Sequence, residues 1–172
     1  MTPEFRPMRR IRQQLTTQES EHILKNATAG VLGVYGDKGY PYTVPVSYVY
    51  NNGKIYLHSA LKGHKVDAIR RNPKVSFCVI AEDNIKPQEF TTYFRSVIAF
   101  GQARILEDDE KLAGLQLLAT RYSAPGITPA MTEKEITKGF NHLLMIEIAI
   151  THLTGKQAIE LLNSKKNDSP TP

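Results

Sequence analysis

With 172 residues, 41% hydrophobic and 23% charged, the chain is long enough to bury one core and short for two. No apolar run approaches the roughly 18 residues that span a bilayer, and the first residues lack the apolar stretch of a signal peptide, so a cytoplasmic protein with no membrane partner is expected. The 22 basic and 17 acidic side chains leave a formal net charge of +5, which suits an anionic small molecule as well as a nucleic acid.

Residues 1–15 open with MTPEFRPMRRIR, four arginines and two prolines without a period. They read as a solvated arm, because no aromatic side chains interleave the arginines as single-strand stacking requires. Residues 16–162 form the predicted domain. Thr16 and Glu19 have the spacing of a capping box, and Ile23, Leu24 and Ala27 then share a helical face. AGVLGVY at 29–35 and PYTVPVSYVY at 41–50 flank the turn GDKG, which predicts a hairpin. Tyr40, Tyr42, Val44, Val46, Tyr48 and Tyr50 alternate onto one face, with Thr43, Pro45 and Ser47 on the other. Pro45 cannot donate to a ladder, so its strand is expected at an edge or interrupted, with backbone left for a ligand. The Asn51-Asn52-Gly53 turn returns the chain, which predicts that residues 43–47 lie paired alongside 56–59.

The next stretch, 54–77, reads as strand, polar loop, short helix, strand. His58 and Ser59 end the strand, Lys62, Gly63, His64 and Lys65 follow, and a helix runs toward Arg71 with Val66 and Ile69 inward until Asn72-Pro73 stops it. A helix start offers amide N–H groups without intrahelical partners, glycine permits close approach, and lysine and histidine add positive charge. Those charges oppose the helix dipole unless an anion sits there. The pattern predicts a phosphate site.

A strand over 74–81 carries Cys78 within VSFCVI, where the thiol is expected in the core. Residues 82–92 read as a polar connection and 93–106 as a long strand bent or bulged at Gly101. Asp108 and Asp109 open a helix with the stripe Leu112, Leu115, Leu118, Ala119 and Tyr122, and SAPGITPAM is a loop. Thr132 and Glu135 repeat the capping-box spacing before a short helix, Leu144, Ile146, Ile148 and Ile150 alternate as the last strand, and 163–172 has the composition of a disordered tail. The whole predicts an α+β fold, a six-stranded antiparallel β-barrel with peripheral helices.

GYPYTVPVSYVYNNGKIYLHSALKGHKVDAIRRNPKVSFCV, then TTYFRSVIAFGQARI and LTGKQ, resemble in order the flavin-binding split-barrel superfamily related to pyridoxamine 5'-phosphate oxidase, and within it the nitroimidazole-resistance, Nim-type flavoproteins. The resemblance covers residues 27–157. It implies a homodimer of six-stranded split barrels with FMN at the subunit interface. It also implies that His58, Ser59, Lys62, Gly63, His64 and Lys65 hold the phosphate, and that the backbone of Thr43, Val44, Pro45, Val46 and Ser47 lies against the flavin ring. Arg95 and Ser96 match further flavin contacts, and His58 stands near a cofactor-proximal histidine of the Nim-type proteins, which makes it the candidate for direct chemistry. The pyridoxamine phosphate oxidases proper carry an arginine-lysine pair where this chain has His64-Lys65, and their C-terminal substrate-binding arginine and histidine pattern is missing here. Oxidation of pyridoxamine phosphate is therefore not expected.

The function expected is an FMN-dependent oxidoreductase that reduces a small acceptor such as a nitro-aromatic, a quinone or a flavin; the alternative is a non-catalytic FMN carrier or sensor. Haem on His58 or His64 and a nucleic-acid-binding barrel are further readings, but the phosphate loop favours FMN, and tyrosines that share a face with Val44 and Val46 belong to a core. No metal is expected, since His58 and His64 lack the spacing of two ligands on one helical turn and Cys78 has no second cysteine. GVYGDKG lies in a hairpin and is no dinucleotide fingerprint, so the electron donor stays open.

Overall fold

The computed structural model describes residues 5–162. Its strands are β1 (Gln14–Leu15), β2 (Ala29–Tyr35), β3 (Pro41–Ser47), β4 (Val49–Asn51), β5 (Lys54–Ala60), β6 (Lys74–Lys86), β7 (Thr91–Leu106) and β8 (Leu143–Gln157). The helices are α1 (Thr17–Asn26), α2 (His64–Arg71), α3 (Asp108–Arg121) and α4 (Pro129–Gly139). All pairings are antiparallel, in the order β3-β2-β6-β7-β8-β5-β4 with β1 added on β8. The α+β class and antiparallel sheet agree with expectation, whereas the strand count among the described residues is eight rather than six. The two extra strands are short, β1 on the arm and β4 split from β3, and neither carries enough alternation to be read from sequence.

The two edges of this sheet, β3 and β4, are consecutive in the chain and separated by Tyr48 alone. A seven-strand path whose ends are joined by one residue has to curl on itself, so the connection at Tyr48 closes the sheet into a barrel. Leu32, Ile55, Leu57, Phe77, Val79, Ile146 and Ile148 fill its interior with at most 1% exposure. Apolar side chains at every second position of each strand make this possible. A second cluster, Val49, Leu106, Leu115, Leu118 and Met145, lies under α3. At the bend near Gly101, Phe100 faces His152 but Gly101 faces Ile150, so β8 has one extra residue and the bulge expected there is present.

Several expectations are corrected. Residues 43–47 pair with β2, with Thr43 opposite Gly33 and Ser47 opposite Ala29, and not with 56–59. The Asn-Gly turn governs only the short β4–β5 ladder, from Val49 opposite Tyr56 to Asn51 opposite Lys54. Residues 82–92 are mostly strand, because the β6–β7 ladder runs on to Lys86 opposite Thr91 and makes a long ribbon. Polar side chains concealed it, since a projecting ribbon has no buried face to impose alternation. Thr128 and not Thr132 caps α4, its side chain accepting from the Met131 amide. Cys78 is on the outer face of β6, opposite the buried Val75, Phe77 and Val79, and is only partly covered. The described part of the arm, residues 5–15, is held to the sheet rather than free in solvent: Gln14 and Leu15 pair with Lys156 and Gly155, and Phe5 stacks on His152 at 4.2 Å between centroids. The expected tail at 163–172 lies outside the described residues, as do residues 1–4.

A candidate flavin site at the barrel split

From Tyr48 the two edges of the barrel diverge. On one lip, β3 is hydrogen-bonded only to β2, so one edge of residues 41–47 has no strand partner. On the other, β5 pairs with β4 only over residues 54–56, which leaves 57–60 unpaired on that side. Pro45, opposite Val31, stands on the open lip, where its missing N–H costs the ladder least. Thr43, Pro45 and Ser47 are exposed on the outer face, and Val44 and Val46 are half-buried against the core. His58 is likewise exposed, and Ser59, next to it, points inward and is buried. Residues 43–47 and 58–59 are thus brought to the two lips of one opening without being paired.

The chain bridges this opening a second time through residues 61–63. Gly63 adopts φ 142° and ψ 166°, a conformation open in practice only to glycine, and α2 begins at His64. Its apolar face, Val66, Ala68 and Ile69, is buried, which anchors the helix against the barrel. Across the gap His64 stacks on Tyr42 of β3 with centroids 4.1 Å apart. Its Nε2 lies 3.5 Å from Asp37 Oδ2, too long for a hydrogen bond. Arg71 donates to Asp37 at 2.8 Å from the other end of the helix, and this bond holds the Asp37 carboxyl below its ordinary range against the opposing effect of desolvation. The His64 ring thus packs α2 against the β2–β3 turn, and its Nε2 is left without a hydrogen-bond partner.

The positive groups left at the helix start are Lys62 and Lys65, neither of which pairs with a carboxylate among the described residues. Gly63 gives no side-chain cap, and the first helical bonds are those of the Val66 and Asp67 amides to the Gly63 carbonyl at 2.9 and 3.0 Å. The His64 and Lys65 amides have no acceptor among the described residues. Ser59 Oγ, four residues before Gly63, is buried and has no hydrogen-bond partner. Two lysines, free helix-start amides and an orphaned hydroxyl form a donor set that fits a phosphate group.

Arg95 and Ser96 lie elsewhere. They face Gln157 and Lys156 of β8, whereas His58 and Ser59 face Met145 and Leu144. A dozen residues of β8 separate the two groups, roughly 40 Å along the strand at about 3.3 Å per residue. Arg95 is also occupied, donating to Glu82 at 2.8 Å. One chain does not assemble all the residues predicted for the site.

Two further residues have structural parts to play, Tyr122, expected only as a member of the apolar stripe, and Glu147, which local pattern did not single out. Tyr122, at the end of α3, inserts its hydroxyl into the Tyr48 junction. Glu147, on β8, is only 4% exposed and accepts from Lys54 at 3.0 Å and Arg104 at 2.9 Å. Arg104 also makes a two-pronged bond to Glu110, 2.7 Å on each prong. Burial alone would push the Glu147 carboxyl up, but the bonds from Arg104 and Lys54 override it and hold the group below its ordinary range. Burial and the neighbouring Glu147 carboxylate push the Tyr56 phenol up to about 12. The signal for this cluster was a glutamate alternating with Ile146 and Ile148, which marks a strand covered on both faces.

Solved structures share this architecture. The conserved hypothetical protein Rv2991 of Mycobacterium tuberculosis is 22% identical with a TM-score of 0.76, over 96% of each chain. A protein of Bacteroides thetaiotaomicron VPI-5482, assigned to 5-nitroimidazole antibiotic resistance, is 24% identical with a TM-score of 0.69, over 84% of this chain and 86% of that one. An FAD and haem binding protein of Mycobacterium smegmatis is 17% identical with a TM-score of 0.66, over 86% of this chain and 74% of that one. At these identities the likeness concerns the fold. No curated protein matches the sequence significantly. The family model for pyridoxamine 5'-phosphate oxidase matches residues 16–157, a span that begins at the α1 cap, takes in the split with its phosphate-fitting loop, and ends with β8. The chain belongs to the pyridoxamine 5'-phosphate oxidase family.

Proposed function

We propose that this protein binds FMN at the barrel split and passes electrons through it to a small acceptor such as a nitro-aromatic, a quinone or another flavin. The observation that carries this reading is the helix start at Gly63, where unpaired Lys62 and Lys65 and acceptor-free amides follow a strand that ends in the orphaned Ser59 hydroxyl, beside a strand edge with no partner. Lys62, Lys65 and the amides of His64 and Lys65 would hold the phosphate. The open edge of β3 would offer backbone N–H and C=O groups to the polar rim of the ring, which no side-chain change can remove. When bound, the flavin supplies the redox chemistry, and the chain binds, orients and limits water. His58, exposed on the β5 lip, is the titratable side chain best placed to hold a proton near an acceptor.

A second copy of the chain completes the site in this reading. Arg95 and Ser96 are at the far end of β8 from Ser59, so they contribute only if another protomer's sheet end reaches this split. The similarity to FAD-binding proteins supports flavin as the class of ligand.

The test begins with the visible spectrum of the purified protein, followed by titration of the apoprotein with FMN and FAD. Flavin absorption and saturable FMN binding are expected, whereas a colourless protein that takes up neither flavin overturns the reading. Anaerobic mixing with NADH or NADPH then separates turnover from storage. Bleaching of the flavin, reversed by a nitro-aromatic or quinone, is expected of the oxidoreductase, and an oxidised spectrum that never changes identifies a carrier.

A further inference from the structure

A second concave site lies toward the far end of β8, on the segment before β1. Arg9, Arg10, Ile11, Arg12, Gln13 and Ile159 line a cleft of about 390 Å³. None of the three arginines pairs with a carboxylate among the described residues. Gln13 is only 5% exposed, and its carbonyl Oε1 is buried without a donor. Gln157, the residue after Lys156, which faces Gln14, is 2% exposed and has a second carbonyl oxygen in the same condition. Ile11 is 63% exposed and Ile159 37%, which gives the cleft apolar surface as well.

Each of these features asks for a different part of a ligand. Arginine forks match phosphate oxygens in pairs, so three unpaired guanidinium groups around one cleft call for more than a single negative charge. A buried amide carbonyl without a partner calls for an N–H or O–H donor. Bare isoleucines beside these groups call for a flat or apolar body. Bare phosphate or pyrophosphate would satisfy the arginines and leave the rest unused, and the volume falls within the roughly 300–1,000 Å³ of small-molecule sites rather than a nucleic-acid groove.

We propose that this cleft binds a nucleoside diphosphate group. Arg9, Arg10 and Arg12 take the two phosphates, Gln13 Oε1 accepts from a sugar hydroxyl or base amine, and Ile11 and Ile159 flank the base. The group can come from a free nucleotide or from the ADP half of a dinucleotide such as FAD. Within one protomer the cleft lies at the opposite end of β8 from Ser59, at the end that carries Arg95 and Ser96, so in the dimer proposed above it would stand beside the split and the Lys65→Ala variant separates the two.

Calorimetric titration of the full-length protein with ADP, adenosine and inorganic pyrophosphate tests the assignment. ADP is expected to saturate, with adenosine and pyrophosphate each at least about tenfold weaker and ADP binding weakened by added salt. The Arg9→Ala/Arg10→Ala/Arg12→Ala variant, altered only at exposed side chains, is expected to lose ADP binding by about tenfold or more with its melting temperature unchanged. Gln13→Leu is expected to weaken ADP and leave pyrophosphate as it was. Lys65→Ala is expected to leave ADP untouched, so failure of the flavin site is read separately. Competition between ADP and FAD but not FMN identifies the dinucleotide as the source, and ADP binding indifferent to FAD identifies a separate nucleotide. Absence of saturable ADP binding up to about 1 mM, wild-type affinity in the triple-arginine variant, or pyrophosphate binding as tightly as ADP overturns the proposal.

Discussion

The Tyr122 hydroxyl accepts from the Tyr48 amide at 3.0 Å and lies 2.9 Å from the Tyr48 carbonyl oxygen and 2.8 Å from that of Thr28. One phenol, reaching back 74 residues, supplies at the barrel seam what a neighbouring strand supplies elsewhere. Tyr48 itself is fully buried and donates from its own hydroxyl to the Leu24 carbonyl at 2.9 Å, so the seam is fastened on both sides. Burial pushes the Tyr48 phenol well up, which keeps it a donor.

Tyr122→Phe keeps the ring and removes the fastening. Tyr48 then loses a hydrogen-bond partner, and because Tyr122 is 43% exposed, water replaces part of what is lost. A destabilisation of about 1–2 kcal/mol is expected. Urea unfolding of the two proteins measures it, and an unchanged midpoint would mean that the seam is held by something else.

Lys65→Ala should weaken FMN binding by about 1.5–3 kcal/mol, as for the loss of a hydrogen bond to a charged group, while the fold persists because Lys65 is partly exposed at the helix start. Quenching of flavin fluorescence on titration into the apoprotein reads the affinity. Wild-type affinity in the variant would place the phosphate away from α2.

Gly63→Ala meets open space, since no atom lies within 4 Å of an added Cβ, but it forces a side chain into φ 142°. Backbone strain of about 1–3 kcal/mol is expected, along with a shifted α2 start and weaker FMN binding. Thermal melting and flavin titration should move together. A variant as stable as the parent would show that the loop relaxes freely.

Acid should loosen the sheet through Glu147. Its carboxyl is held below the unfolded-state value of about 4.3, so its contribution is complete above that value and is lost as pH falls through the folded-state pKa. The unfolding midpoint should therefore drop as pH is lowered from about 5. Glu147→Gln should flatten this dependence and cost about 1–3 kcal/mol near neutrality, less than a fully buried pair because Lys54 and Arg104 stand half in water. Parallel pH profiles for parent and variant would exclude Glu147 as the source.

Local signals named most of the elements correctly. The Thr16–Glu19 box forms as spaced, with both of its bonds present, Asn72-Pro73 ends α2, and Pro45 lies on an edge strand as a residue without an N–H must. The loop 62–65 was legible because its chemistry is contiguous in the chain. Tyr122 and Tyr48, Glu147 and Arg104, and Gln14 and Lys156 were not, for each relation joins distant segments with no shared period.

What the sequence determined by itself is therefore local: which segments alternate, where glycine or proline must turn the chain, and that positive charge gathers at a helix start. The tertiary structure decided partnership. It sent residues 43–47 to β2 instead of β5, because closing the barrel at Tyr48 makes β3 and β5 opposite lips of one split rather than neighbours in a ladder. It also laid the His64 ring against Tyr42, and set Arg95 and Ser96 at the other end of the sheet from Ser59. Strand order and register depend on how apolar faces from the whole chain close over one core, and no window of local sequence contains that information.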